Sequence, residues 1–144
     1  MKGKIEIYHH EDLQWVNDLA MWRSLMGRVP WMTRFGQGKM KNLSFDEGTG
    51  AGAWLIDWPE GYDPLQTHTH GGNEYCFILE GELRHEGKIL TAGTYLYFPK
   101  EVEHGPFLPG KDGCVFLTTV DGPFFSQTFI DDIMAAGRAA RHRA

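Results

Sequence analysis

The chain has 144 residues, 42% of them hydrophobic, and a formal net charge of −5; this is the size of one ordinary domain, able to bury a core without staples. Its basic residues are scattered rather than gathered into a stripe, which excludes the electrostatic footprint of a nucleic-acid binder. No run approaches the roughly 20 apolar residues that cross a bilayer, and Met1-Lys2-Gly3-Lys4 does not open a secretion signal, so no membrane partner and a cytoplasmic location are expected.

Eighteen glycines and seven prolines fall as punctuation between short apolar segments, and this distribution predicts an all-β body. From the amino end, Lys4-Ile5-Glu6-Ile7-Tyr8 alternates in the strand period and is expected to form an edge or dimer-exchange strand. Residues 11–26 are ambiguous: Leu13, Val16, Leu19, Ala20 and Met26 have helical spacing, whereas Trp15 and Trp22 break the stripe. Val29-Pro30-Trp31 is extended before its proline, with residues 31–35 expected to pair after it. Residues 39–45 alternate again, Asp46-Glu47-Gly48-Thr49-Gly50 carries turn chemistry, and residues 53–58 form a strand ended by Pro59. Residues 60–64 form the loop that delivers the next segment.

That segment is His68-Thr69-His70-Gly71-Gly72-Asn73-Glu74, followed by the apolar run Tyr75-Cys76-Phe77-Ile78-Leu79 and an expected turn at Glu80-Gly81-Glu82. Side chains alternate along extended backbone, so His68 and His70 point one way and Thr69 the other. Gly71-Gly72 is expected to let the chain turn sharply, returning the Glu74 carboxylate to the same centre. Residues 83–85 and 88–90 flank a hairpin signal at Glu86-Gly87. Residues 93–99 read as a further strand, after which a short loop presents His104. Residues 114–120 are strongly β-prone and predict burial on both faces. Cys76 and Cys114 both lie in apolar runs, which fits buried reduced thiols better than a disulfide framework. Eight or more strands are then available for a small barrel or double-sheet jelly roll. Thr128-Phe129-Ile130-Asp131 fits a capping box, and Ile130, Ile133 and Met134 give one apolar face. Arg138, Arg141 and Arg143 sit where a helix dipole favours cations, so a short carboxyl-terminal helix is expected from about residue 130 to 141.

HTHGGNEYCFILEG resembles the first motif of the cupin superfamily: His-x-His, three residues, Glu, six residues, Gly. GTYLYFPKEVEH is similar to the second: Gly, five residues, Pro, x, usually Gly, two residues, His, with Glu101 here in place of the usual Gly. Leu108 departs likewise from a frequent Asn. The resemblance is strongest to small single-domain cupins of the acetylacetone dioxygenase type and to the zinc cupin domain of anti-sigma factors. It implies a single cupin domain, divided into an amino-terminal arm of about residues 1–35, a barrel of about 36–122 and a helix of about 128–141. It also implies a homodimer.

His68, His70, His104 and Glu74 are the expected ligands of one divalent transition metal ion. The nitrogen-rich set suits Fe(II), Zn(II), Mn(II), Ni(II) or Co(II) without choosing among them and is ill suited to calcium, while the resemblance to dioxygenases makes Fe(II) the favoured ion. Glu74 either ligates directly or orients a histidine. An octahedral ion held by all four side chains keeps two adjacent positions open, whereas a tetrahedral zinc held by four is closed and structural. Cys76 and Ile78 share strand parity with Glu74 and predict an apolar cavity beside the ion. Phe98, Phe107, Phe116, Trp54 and Trp58 are candidates to line a pocket for a small molecule or simply to fill the core. Glu101 and Glu103 are candidates to act on substrate protons or are only solvated, while His9, His10, His85 and His142 are read as surface residues. By resemblance the expected activity is a dioxygenase that cleaves a small β-diketone or related oxygenated molecule. The alternatives are a non-catalytic zinc sensor, in which the carboxyl-terminal helix serves as partner surface, and a redox-neutral isomerase or decarboxylase.

Overall fold

The computed structural model describes residues 3–27, 34–127, 130–131 and 134–135. Seven antiparallel strands form one sheet in the order β1-β2-β3-β7-β4-β5, with β6 pairing β4. They are β1 (Val16–Asn17), β2 (Lys39–Phe45), β3 (Gly52–Trp58), β4 (Glu74–His85), β5 (Lys88–Thr91), β6 (Tyr95–Phe98) and β7 (Leu108–Val120). The described residues therefore carry seven strands rather than eight or more. The missing one is the amino-terminal segment: residues 3–9 are unpaired, Ile5 and Ile7 are 91% and 90% exposed, and only the Tyr8 hydroxyl reaches the sheet, donating to the Leu43 carbonyl. Alternation alone makes no ladder where no neighbouring strand receives it.

The ambiguous segment resolves into three pieces: a short 3-10 turn (His10–Asp12), β1, and a helix α1 (Asp18–Met26). The Asn17 side chain starts the helix by accepting from the Leu19 and Ala20 amides, and Gly27 ends it at φ 77°. Trp22, which interrupts the sequence stripe, is the helix's anchor: it is 2% exposed and lies 5.1, 4.7 and 4.9 Å from the rings of Trp54, Phe124 and Phe125. The neighbouring Asp18 is buried because it accepts from the Gly36 amide (2.8 Å) and the Tyr62 hydroxyl (2.5 Å).

The inward-facing residues of β3, β4 and β7 build one core around Trp54, Ile56, Trp58, Cys76, Ile78, Leu83, Cys114, Phe116 and Val120. Both cysteines are buried free thiols. β7 lies between β3 and β4, and its residues 114–120 alternate between buried and half-buried, so only one face is sealed. β4 is unbroken where a turn at Glu80-Gly81-Glu82 was expected. Gly81, at φ 75°, instead absorbs irregularities in the pairing with β7, and a Cβ there would stand 2.0 Å from the Gly113 carbonyl oxygen. The Glu86-Gly87 hairpin forms, with φ of 49° and 76° at its two turn residues.

Residues 127, 130, 131, 134 and 135 are helical, and Ile130 and Met134 pack against the core. The remainder of that expected helix, including Thr128, Phe129, Ile133 and the three arginines, lies outside the described residues, as do residues 29–31 and His142.

Candidate metal centre

His68 and His104 oppose each other in an isolated antiparallel bridge, each amide donating to the other's carbonyl at 2.9 Å. This pair of bonds sets both imidazoles on one face, and His70 follows two residues on with the same parity. Thr69 points away and pairs with the Ser126 hydroxyl. Glu74 opens β4, flanked by Phe98 of β6 and Val120 of β7. The two glycines between them act by size and not by reversed dihedrals. A Cβ on Gly72 would lie 2.2 Å from the Gly122 nitrogen, and one on Gly71 would lie 3.1 Å from Pro123. The loop before β4 therefore packs directly against the end of β7.

The three imidazoles meet ring to ring, with centroids 4.7 Å (His68–His70), 4.3 Å (His68–His104) and 4.9 Å (His70–His104) apart. Each Nδ1 faces a backbone carbonyl: His68 that of Gln66 at 2.8 Å, His104 that of Val102 at 3.0 Å, and His70 that of Phe124. A carbonyl oxygen can only accept, so each Nδ1 carries the hydrogen and each ring, when neutral, turns the lone pair of its Nε2 inward. His68 Nε2 and His70 Nε2 are 3.2 Å apart. Glu74 Oε1 lies 3.0 Å from His70 Nε2 and 3.5 Å from His104 Nε2. Its Oε2 accepts from Thr118 Oγ1 at 2.5 Å. His104 Nε2 is buried without a well-formed hydrogen bond. Converging lone pairs, an orphaned buried nitrogen and a carboxylate oxygen beside them are the electrostatic complement of a cation, so His68, His70 and His104 can hold a metal ion with Glu74 beside them.

Electrostatics agree with that arrangement. Burial, together with the charges of His70 and His104, pushes His68 down to about 3, so it stays neutral. For His70, burial favours the neutral form, but attraction and hydrogen bonding from Glu74 outweigh it and hold the imidazole above its usual range. Burial would raise Glu74 as well; the His70 charge, the His104 and His70 imidazoles beside it and the Thr118 hydroxyl instead keep its carboxyl well below the ordinary carboxylate range. Without metal, the Glu74 carboxylate beside it favours a proton on His70 Nε2, 3.0 Å away.

A cavity of about 40 Å³ adjoins His68, Glu74 and His104. Cys76, Phe98, Phe107, Phe116 and Trp58 line it, together with Ile56, Leu65, Leu83, Leu96 and Phe124. Phe98 stacks flat on His104, with centroids 4.0 Å apart and an interplanar angle of 7°. Ile78 and Trp54 are fully buried but do not line the cavity, Trp54 lying instead in the cluster around Trp22. Burial pushes the Cys76 thiol well above its usual value, and the Glu74 charge adds to this, so it stays protonated. Glu101 and Glu103 are exposed and neither lines the cavity. Glu101 serves through its backbone: its amide donates to the His70 carbonyl at 2.9 Å, and its φ of 62° is the left-handed conformation that explains a glycine as the usual occupant. His9 and His10 are exposed on the amino-terminal turn, where with Glu11 they form a second group of ligand atoms. His85 is half-buried rather than a surface residue, its ring stacked 4.3 Å from Phe107.

Thr118 and the carbonyls of Gln66, Val102 and Phe124 are site groups that sequence reading missed. A signal existed for Thr118, which is the polar member of the inward series Cys114, Phe116, Thr118, Val120. The carbonyls have none, since backbone carries no side-chain signature.

An antiparallel β-sheet around one core, with His-x-His, Glu and a distant His brought to one point, defines the cupin class. A sequence model of the ChrR cupin-like domain matches residues 23–124, and the chain belongs to that family. The anti-sigma-E factor ChrR of Cereibacter sphaeroides is 27% identical over 97 residues, which cover 67% of this chain and 45% of that protein; the chain thus spans less than half of that relative's length. The crystal structure of Rhodobacter sphaeroides SigE in complex with the anti-sigma ChrR superposes with a TM-score of 0.53 at 24% identity, covering 78% of this chain and 52% of that one. An acetylacetone dioxygenase from Acinetobacter johnsonii superposes with a TM-score of 0.56 at 15% identity, covering 83% and 76%. These structural likenesses concern the fold. Among the described residues no helix is long and apolar enough to cross a membrane.

Proposed function

We propose that the domain holds one divalent transition metal ion, Fe(II) in the favoured reading, on His68, His70, His104 and Glu74, and uses it as a dioxygenase on a small oxygenated molecule of the β-diketone kind. The observation that carries this reading is the convergence of three Nε2 atoms and Glu74 Oε1 beside a largely apolar cavity. A bound ion supplies Lewis-acid polarisation and, as iron, redox reactivity toward oxygen.

The chain's own part is to position and to exclude water. The three carbonyls fix the imidazole tautomers, and Thr118 keeps Glu74 turned and ionised. Phe98, Phe107 and Phe116 keep the ligand side dry. Glu74 is the ionised group at the cavity and Cys76 holds its proton, so the walls offer no further acid or base. Size limits the ligand. A cavity of about 40 Å³ holds only a few waters, and a ligand as large as a diketone needs the lining side chains to move.

Family membership favours a second reading, a zinc-holding domain that responds to a ligand without turnover, as part of a larger regulator. Anaerobic loading with Fe(II), then oxygen-uptake measurement with a panel of small β-diketones, separates the two. Uptake matched by C–C cleavage products supports the dioxygenase. No uptake with any diketone, together with firm retention of zinc, supports the sensor.

A further inference from the structure

Half-buried Asn73 stands where the segments that build the metal centre meet. Its amide donates to Asp121 Oδ1 (2.7 Å), its carbonyl accepts from the Asp121 amide (3.1 Å), and its Nδ2 donates to Asp121 Oδ2 (3.0 Å). Its Oδ1 accepts from the Lys100 amide at 2.9 Å and from the Tyr97 hydroxyl at 3.4 Å. The next amide, that of Glu101, donates to the His70 carbonyl. Two successive amides thus tie the loop that carries His104 to the segment that carries His70 and Glu74. On the other side, the stretch after Asp121 supplies the Pro123 carbonyl to the Gly71 amide (2.9 Å) and the Phe124 carbonyl to His70 Nδ1.

We propose that Asn73 is a positioning residue of the metal centre, which holds Glu74 and the His104 loop in one register by donating to Asp121 and accepting from Lys100. The proposal rests on the reading of His68, His70, Glu74 and His104 as metal ligands. Asn73 acts through backbone: Glu74 is the next residue, and His104 follows four residues after Lys100. The bonding pattern asks for a carboxamide. The Asp121 carboxyl, held below the ordinary range by the Asn73 side chain and amide, can only accept. The Lys100 amide can only donate. Asparagine meets both demands at once, whereas an ionised aspartate lacks the donor and sets two carboxylates against each other across a gap of 3.0 Å.

The test is Co(II) binding to the full chain, measured by competition against a chelator of known affinity and by the visible absorption of the bound ion. Wild type is compared with Asn73→Asp, Asp121→Asn and the double variant. The charge added by Asn73→Asp would by itself attract a cation, so weaker binding there reports lost geometry. Asp121→Asn sets donor against donor at Asn73 Nδ2, unless Asn73 turns over and gives up Lys100. The double variant exchanges donor and acceptor and keeps the wild-type net charge: the carboxylate at 73 accepts from Lys100 and from the carboxamide at 121, whose oxygen accepts the amide of residue 73. Each single variant is expected to bind roughly 10–100-fold more weakly with an altered absorption band. The double variant is expected to regain both affinity and band, and all four proteins to share one far-UV circular dichroism spectrum. A folded single variant that matches wild type overturns the proposal, as does a folded double variant no tighter than the singles. Loss of the far-UV signal in a single variant assigns the bracket to the fold rather than to the site and overturns it too. Wild type that takes up no Co(II) removes the metal reading together with this proposal, whereas normal uptake by wild type and both single variants removes this proposal alone.

Discussion

The Thr118 hydroxyl donates to the Glu74 carboxylate over 2.5 Å from a position 44 residues downstream, and both side chains are buried. The bond engages Oε2 and leaves Oε1 turned toward His70 and His104. Thr118→Val keeps the shape and deletes the donor, so a buried carboxylate oxygen loses its partner, at a cost of about 1–3 kcal/mol. The expected outcome is metal affinity weakened roughly 10–100-fold, as for other residues that orient ligands. Competition against a chelator of known affinity measures it.

His104→Ala removes one of the three converging imidazoles, while the backbone bridge to His68 is kept. Metal affinity is expected to fall on the order of 100-fold or more, since a ligand is lost outright. Tm without metal is expected to fall as well, because the Nδ1 bond to the Val102 carbonyl and the stack on Phe98 go with the ring. Metal content and Tm measured side by side check both halves.

Metal binding should release protons. Burial opposes the charge on His70, but Glu74 wins and holds its pKa above the usual histidine value, whereas an ion needs its neutral Nε2. Below that raised pKa each ion bound displaces one proton, and affinity falls about tenfold per pH unit of acidification. Calorimetric titration in buffers of different ionisation enthalpy counts the protons.

The stability of the metal-free protein carries two opposite pH dependences. His68 is held down to about 3 by burial and by the charges of its two neighbours, so its contribution is present above the unfolded value near 6.5 and is lost as pH falls from there toward 3. His70 is raised, so its contribution is present below the unfolded value and is lost as pH rises through its folded one. Unfolding by denaturant at a series of pH values should therefore give a maximum near the unfolded histidine pKa.

Glu101→Gly tests whether that side chain acts in chemistry. Relief of a left-handed residue is worth about 1–2 kcal/mol, offset by roughly 0.5–1 kcal/mol of glycine chain entropy. A net gain of about 0.5–1 kcal/mol is expected, with metal content unchanged, and denaturant unfolding reads it. Loss of metal would show that more than the amide bond to His70 is at work.

Much of the candidate site's geometry was legible because an extended backbone has a period of two: His68 and His70 share a face by spacing alone, and Glu74 re-enters at the start of a strand. The pairing of His68 with His104 followed only from motif resemblance, since no local rule joins residues so far apart. What stayed hidden was set by tertiary neighbours. Gly72 exists for its approach to Gly122, Trp22 breaks a helical stripe because it faces Trp54 and Phe124, and Ile5 and Ile7 alternate without a strand to pair with. Glu80 to Glu82 has turn-like composition, but β7 runs beside it and turns the irregularity into a bulge.

The most direct measurement is elemental analysis of the native chain, purified without chelators or metal-affinity resins, before and after exposure to Fe(II), Zn(II), Mn(II) and Ni(II). One ion per chain, lost in His104→Ala, is the predicted result. A protein that emerges metal-free and takes up none of the four would contradict the account.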